Sequence, residues 1–189
     1  MFKRLLTVVM VCASTVLSAQ TVENFIINPA KSTVNWSGKK IVGGLTEGTI
    51  SIENGKLNFR NKMLNSGEIV MNTKSISSEK APARLISHLK NEDFFDVEKY
   101  PTATFVITGV NGNVVRGKMT IKGITHDLSF TADVTYGTKQ VVAKALKVKV
   151  NRTKYDVTYK SGSIFSGLGD GAIEDNFILD INLVAEKAK

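Results

Sequence analysis

Along most of this chain apolar and polar residues alternate one for one. Val34 and Trp36 alternate with Thr33, Asn35 and Ser37, and Phe105 and Ile107 with Thr104 and Thr108. Val115, Met119 and Ile121 share one parity, opposite Arg116, Lys118, Thr120 and Lys122. The longest run sets Leu128, Phe130, Ala132, Val134 and Tyr136 against Asp127, Ser129, Thr131, Asp133 and Thr135. Leu146, Val148 and Val150 alternate with Lys147 and Lys149. Near the end, Ile173, Phe177, Leu179, Ile181 and Leu183 alternate with Glu174, Asn176, Asp180 and Asn182. A period of two puts one face of each strand in an apolar interior and the other in water.

Turn residues divide these runs. Asn54-Gly55 and Asn111-Gly112 predict two-residue hairpins, because both residue types tolerate positive φ. Gly43, Gly44 and Gly48 crowd one connection and suit a bulge or a barrel corner. Ile69 and Met71 mark a further strand ending near Ser75. One segment departs from the pattern. Leu85 and Leu89 lie four apart with Ile86 beside them, which predicts a short helix over Glu79 to Lys90. Ser77 or Ser78 is placed to cap it, and Pro82 fits only its first turn. The class is therefore mainly β, about eight antiparallel strands with a short helix around residues 79–91. Alternation leaves a filled sandwich and a barrel with a lumen equally open.

The first nineteen residues stand outside this pattern. Lys3 and Arg4 precede an apolar run from Leu5 to Leu17, and Ser18-Ala19 supplies small residues for a cut before Gln20. The run is shorter than the roughly 20 residues of a membrane span. Residues 1–19 read as a signal peptide cleaved near Ala19, giving a periplasmic or secreted protein with one domain over 20–189. Cys12, the single cysteine, lies in that leader. The remainder then has no thiol for a disulfide, a nucleophile or a metal thiolate. Losing Lys3 and Arg4 lowers the net charge of +8 by two. The basic excess that remains favours anionic partners, including a transient contact with a membrane surface. Basic–aromatic clusters of the kind that bind nucleic acid are missing from the sequence.

Candidate chemistry is sparse. His88 and His126 have no partner at ligand spacing, so neither a metal site nor a catalytic set is expected. Asp170, Glu174 and Asp175 do not match a calcium loop. Lys144, Lys147, Lys149, Arg152, Lys154 and Lys160 form a basic cluster interrupted by Asp156. Cross-strand pairing with the acidic last strand is the first reading of this cluster. A positive rim for anionic head groups, carried by Lys147, Lys149 and Arg152, is the functional one. Phe94 and Phe95 are adjacent, so an extended backbone would send them to opposite sides.

The stretch His88-Leu89-Lys90, Asp93-Phe94-Phe95-Asp96-Val97-Glu98-Lys99-Tyr100-Pro101-Thr102-Ala103-Thr104-Phe105 strongly resembles the YceI-like family of lipocalin-like polyisoprenoid-binding proteins. Val115-Arg116-Gly117-Lys118-Met119-Thr120-Ile121-Lys122-Gly123-Ile124-Thr125 is a second match, and Ser32 to Trp36 and Asn151 to Tyr155 are weaker ones. Asn28, Asn72 and Asp156 depart from the usual aspartate, aspartate and glycine. The resemblance implies an eight-stranded antiparallel barrel whose lumen takes a long amphiphile of the polyisoprenoid or isoprenoid-quinone class. It implies no enzymatic activity and no cofactor beyond such a lipid. Leu85, Leu89, Phe94, Phe95, Tyr100 and Phe105 are the candidates for its mouth and lumen. An enzyme using His88 with Asp93 or Asp96, and a barrel filled by side chains, are the competing readings. Oligomeric state is left open, a homodimer included.

Overall fold

A computed structural model describes residues 20–189, so the expected leader lies outside the described residues. Ten strand segments form one antiparallel sheet: β1 (Val22–Ile27), β2 (Thr33–Lys39), β3 (Leu45–Arg60), β4 (Met63–Ser77), β5 (Thr102–Asn111), β6 (Val114–Ile121), β7 (Ile124–Thr131), β8 (Asp133–Tyr136), β9 (Gln140–Asn151) and β10 (Asn176–Lys187). One helix, α1 (Ala83–Lys90), lies between β4 and β5. The ladder runs β7-β6-β5-β4-β3-β1-β10-β9-β8.

Ten segments stand where about eight strands were expected, and two interruptions account for the difference. β1 and β2 both lie between β3 and β10, separated by a short 3-10 turn at Pro29–Lys31. Pro29 has no N–H to donate to a ladder, and the Asn28 side chain caps the turn by accepting from Ala30 N at 3.1 Å. Asn28 Nδ2 also donates to Glu186 Oε1 at 3.2 Å, a bond that an ionised aspartate would not make. β7 and β8 are likewise consecutive, broken at Ala132, whose N–H donates to Asn113 O at 2.8 Å. β7 pairs with β6 and β8 with β9, so the two ends of the ladder meet and the sheet closes into a barrel.

The hairpin expected at Asn54-Gly55 is absent. β3 runs through both residues, with register shifts before Asn54, and the turn comes at Asn61-Lys62, both at positive φ. Gly55 is there for space: a Cβ would lie 2.5 Å from Ile27 Cδ1 and 2.7 Å from Glu68 O. The Asn111-Gly112 turn does join β5 to β6, with Gly112 at φ +59. The helix begins four residues later than Glu79, after Pro82. Ser78 Oγ instead accepts from Ala81 N at 3.0 Å in the turn before it.

Inward positions of every strand meet in one core that includes Phe25, Leu57, Met71, Phe105, Met119, Val141, Val150 and Leu179. One end of the barrel is sealed. Phe25, Phe59 and Tyr136 stack edge-on or tilted with centroids 5.3–5.9 Å apart. The Tyr136 hydroxyl donates to Glu23, which Lys187 Nζ also reaches at 2.6 Å. Those donors hold the Glu23 carboxyl below its ordinary pKa, the Lys187 bond contributing most, while Glu23 raises that of Tyr136. The other end carries α1 and the long 152–175 connection.

Gly117 on β6 faces Phe105 on β5, and a Cβ there would lie 2.5 Å from the Phe105 ring and 2.4 Å from Val106 O. Gly117→Ala is expected to destabilise by about 2 kcal/mol, the cost of overpacking a filled core. Urea unfolding measures it, and an unchanged midpoint would contradict the packing described.

Candidate functional site

The open end of the barrel surrounds an apolar chamber of about 170 Å³. Trp36 on β2, Met71 on β4, Met119 on β6 and Phe177 and Leu179 on β10 form its walls, with Leu85 and Leu89 of α1 above them. Phe94 and Phe95, in the turns after the helix, complete the roof. Polar residues also line it: Lys39, Lys40, Thr46, Thr73, Arg152, Glu174 and Asn176. Below lies a second apolar chamber of about 60 Å³, reached by Phe105, Leu128, Phe130, Ala132 and Val134. Met71, Met119 and Leu179 border both chambers and so form the waist between them.

Local backbone explains the roof. Residues 91–99 are successive turns rather than extended chain: Phe94 N donates to Asn91 O, Phe95 N to Leu89 O and Asp96 N to Asn91 O, with Asp96 at φ +47. Folding back this way brings both phenylalanines to the chamber, their rings 6.5 Å apart, instead of to opposite sides. Phe94 is buried against His88 and Tyr159, at 5.1 and 5.2 Å. Phe95 is half-buried and meets Phe177 edge-on at 6.2 Å. Phe94 is thereby an anchor, and Phe95 the more exposed of the two in the roof.

The remaining candidates fall in different places. Leu85 and Leu89 line the upper chamber, and Phe105 lines the lower one, stacked on Phe130 at 5.2 Å. Tyr100 lines neither; its ring lies over Gly123, and its carbonyl accepts from Thr73 Oγ1 at 2.7 Å. Lys147 and Lys149 are exposed on the outer wall. Lys147 sits at positive φ, and its N–H donates to Asp180 Oδ1 at 2.7 Å where the β9–β10 register shifts. Lys144, Lys147 and Lys149 make no ion pair among the described residues. The basic cluster therefore neither rims the mouth as a group nor pairs with the last strand.

Arg152 has a different use. It is buried, and its guanidinium donates to four carbonyls: Glu174 at 3.0 Å, Val157 at 2.7 Å, Tyr159 at 3.0 Å and Ile173 at 3.1 Å. Asp175 lies 4.0 Å away and accepts from Ser161 and Ser163. Burial lowers the Arg152 pKa and Asp175 pulls it back up, while the two serines and then Arg152 lower that of Asp175. With its donors spent on backbone, Arg152 ties the 152–175 connection across the barrel end and leaves little to offer a head group. Asp156, where the resemblance led to glycine being expected, is at φ +58, the left-handed region glycine prefers and aspartate tolerates.

The histidines are fasteners of the same end. His88 Nε2 meets Asp93 at 3.2 Å and its ring packs between Phe94 and Tyr159, outside the chamber lining. His126 Nε2 bonds Lys154 O at 2.9 Å. The expected His88–Asp93 pair therefore forms, but neither residue lines the chamber. No cluster of metal-ligating side chains is found among the described residues. Alternation alone places Met119 and Leu179 inward, but the waist they make with Met71 depends on three strands meeting across the lumen.

A model of the YceI-like domain matches residues 25–185. The chain belongs to the YceI-like family. A UPF0312 protein of Staphylococcus aureus (strain USA300) is 27% identical over 150 residues, covering 72% of this chain and 83% of that protein. Among solved structures, Burkholderia cenocepacia BcnA superposes with a TM-score of 0.66 at 22% identity, covering 84% of this chain and 98% of its own. A polyisoprenoid binding domain from Saccharophagus degradans, implicated in plant cell wall breakdown, reaches the same TM-score at 11% identity over 89% and 100%. At these identities the structures establish a shared YceI-like fold.

The Asp175 network should give the barrel end an acid-sensitive lock. Its folded pKa lies below the unfolded value, so its contribution is complete above about pH 4 and is lost as pH falls through the folded value. Thermal unfolding across pH 2–6 should show the melting temperature dropping on the acid side. Asp175→Asn should flatten part of that drop; an unaltered acid limb would show that the network carries no such linkage.

Proposed function

We propose that this YceI-like protein binds a long amphiphilic isoprenoid-type lipid in its barrel, without catalysis, after export from the cytoplasm. The observation that carries the reading is the upper chamber. It is walled by leucine, phenylalanine, methionine and tryptophan and opens at one end, with the exposed Lys39, Lys40, Glu174 and Asn176 among its polar residues. Dry apolar cavities of about 150 Å³ hold benzene-sized guests, so the upper chamber takes a ring or a short length of hydrocarbon. A longer tail continues into the lower chamber when Met71 and Met119 turn aside. Unbranched methionines are suited to that, having three rotatable bonds and a polarizable sulfur. Removing hydrocarbon from water yields about 0.8 kcal/mol per methylene, which is ample gross affinity for a prenyl chain. The polyisoprenoid binding domain from Saccharophagus degradans shares the fold and supports the ligand class.

Lys39, Lys40 and Asn176 replace Lys147, Lys149 and Arg152 as the groups positioned to meet a polar head at the chamber's edge. Carrier, storage and sensing roles all use this same site.

Solvent extraction of the purified protein followed by mass spectrometry should recover a long-chain isoprenoid near one per chain. Recovery of none, together with no uptake of hydrophobic fluorescent probes, would sink the reading in favour of a filled structural barrel. Phe95→Ala should cut lipid retention with a small loss of stability. Phe94→Ala should instead cost about 3 kcal/mol through its buried ring. Met119→Ala, which widens the waist, should shift the bound lipids toward longer chains; an unchanged length distribution would show that the waist does not measure the tail.

A further inference from the structure

Two loops flank the open end of the barrel, and both present large apolar side chains to solvent. The 40–44 connection and the start of β3 carry Ile41, Val42 and Leu45, at 54%, 55% and 57% exposure. The 158–173 segment carries Ile164 and Phe165, at 50% and 47%. The loops are stitched into one surface. Ile41 N donates to Ala172 O at 2.8 Å, and Ile173 bridges both Lys40 and Ser161. The Ile41 side chain reaches within 3.1 Å of where a Cβ on Gly162 would be. Nothing in the core needs these five side chains outside, and a stable loop tip ordinarily ends in polar residues.

We infer that these two loops form a bilayer-docking surface, their apolar tips entering the head-group region of an anionic membrane beside the lumen mouth. Position is the first argument. The loops adjoin the lining of the upper chamber, to which Lys39, Lys40, Gly44, Ile173 and Glu174 contribute. A hydrocarbon chain passing from a bilayer to a barrel through water would expose every methylene on the way, so the mouth must meet the membrane. Charge is the second. Lys39, Lys40 and Lys160 are exposed at the base of the tips, against Asp170 and Glu174 on the same loops, and the chain as a whole is basic. Apolar tips ringed by lysine suit an anionic interface, where insertion and electrostatic attraction add. The opposite end also exposes Val22 and Met63, but Phe25, Phe59 and Tyr136 stack behind them and no lining of the upper chamber reaches it.

The inference rests on the lipid-binding reading for its biological use, but vesicle binding is measured apart from lipid content. The purified protein is sedimented with vesicles of phosphatidylglycerol and phosphatidylethanolamine, and separately with phosphatidylcholine alone. It should partition to the anionic vesicles, and Val42→Asp with Phe165→Asp should lower that partition at least about tenfold. Met63→Asp introduces one such charge at a still more exposed residue on the sealed end, and should leave it unaltered. Lys39→Ala and Lys40→Ala should each weaken anionic binding by about fivefold and leave neutral vesicles unaffected. If the aspartate pair does not fold, Val42→Ser with Phe165→Ser takes its place, judged by an unchanged melting temperature. Failure of the unsubstituted protein to sediment with either vesicle overturns the proposal. So does an equal loss in Met63→Asp. A dimer that the loop substitutions split, without vesicle binding, would assign the surface to a second copy of the chain. Lipid recovered from a protein that never docks would refute docking while leaving the lumen reading intact.

Discussion

An antiparallel sheet buries its backbone polar groups at no cost only if its edges find partners, and in this chain one strand resolves both edges. The stretch from Ile124 to Tyr136 pairs with β6 through its first half and with β9 through its second, changing partner at Ala132. Side-chain parity is maintained through the break, so Leu128, Phe130, Ala132 and Val134 all reach the lumen. Closure removes the open edges that would otherwise template association, and it converts a set of half-apolar strands into a single interior. Every later property of the site depends on that interior being one enclosed space.

The two ends of that space are built differently. At the sealed end, aromatic rings stack across the barrel and their polar tip is spent on Glu23. At the open end, the chain covers the barrel with helix, turns and a long connection, joined to the sheet by isolated bridges such as Lys40–Ile173. Arg152 makes this cover rigid by donating to carbonyls from four separate residues, and His88 fastens the helix to Tyr159. A chamber beneath such a cover is held open by hydrogen-bonded backbone above it and by methionines that fill it incompletely below.

Much of the fold was legible because period-two alternation survives wherever a strand has one wet face. The same rule misled at Asn54-Gly55, where a turn dipeptide sits inside a strand. Gly55 is needed there because Ile27 crosses it, a contact between residues distant in sequence. Phe94 and Phe95 misled similarly, since the assumption of extended backbone failed in a run of turns. The site was legible in part: Leu85, Leu89, Phe94 and Phe95 do border the upper chamber, whereas Tyr100 packs on Gly123 outside it. Lysine parity on β9 put Lys147 and Lys149 outward, and outward on a barrel wall is not part of the chamber lining.

By itself the sequence determined the mainly β class, the inward set of side chains, the presence of one short helix and, through the His88–Phe105 stretch, membership of the YceI-like family. These are properties of local periodicity and of a long contiguous motif, which do not require knowing what lies across the barrel. Tertiary structure decided where the sheet closes, that the lumen is two chambers joined at Met71, Met119 and Leu179, and that Arg152 serves backbone rather than ligand. It also brought Ile41 and Phe165, separated by most of the chain, to one end of the molecule. Such facts arise from contacts between remote segments, and a one-dimensional pattern carries parity but not distance.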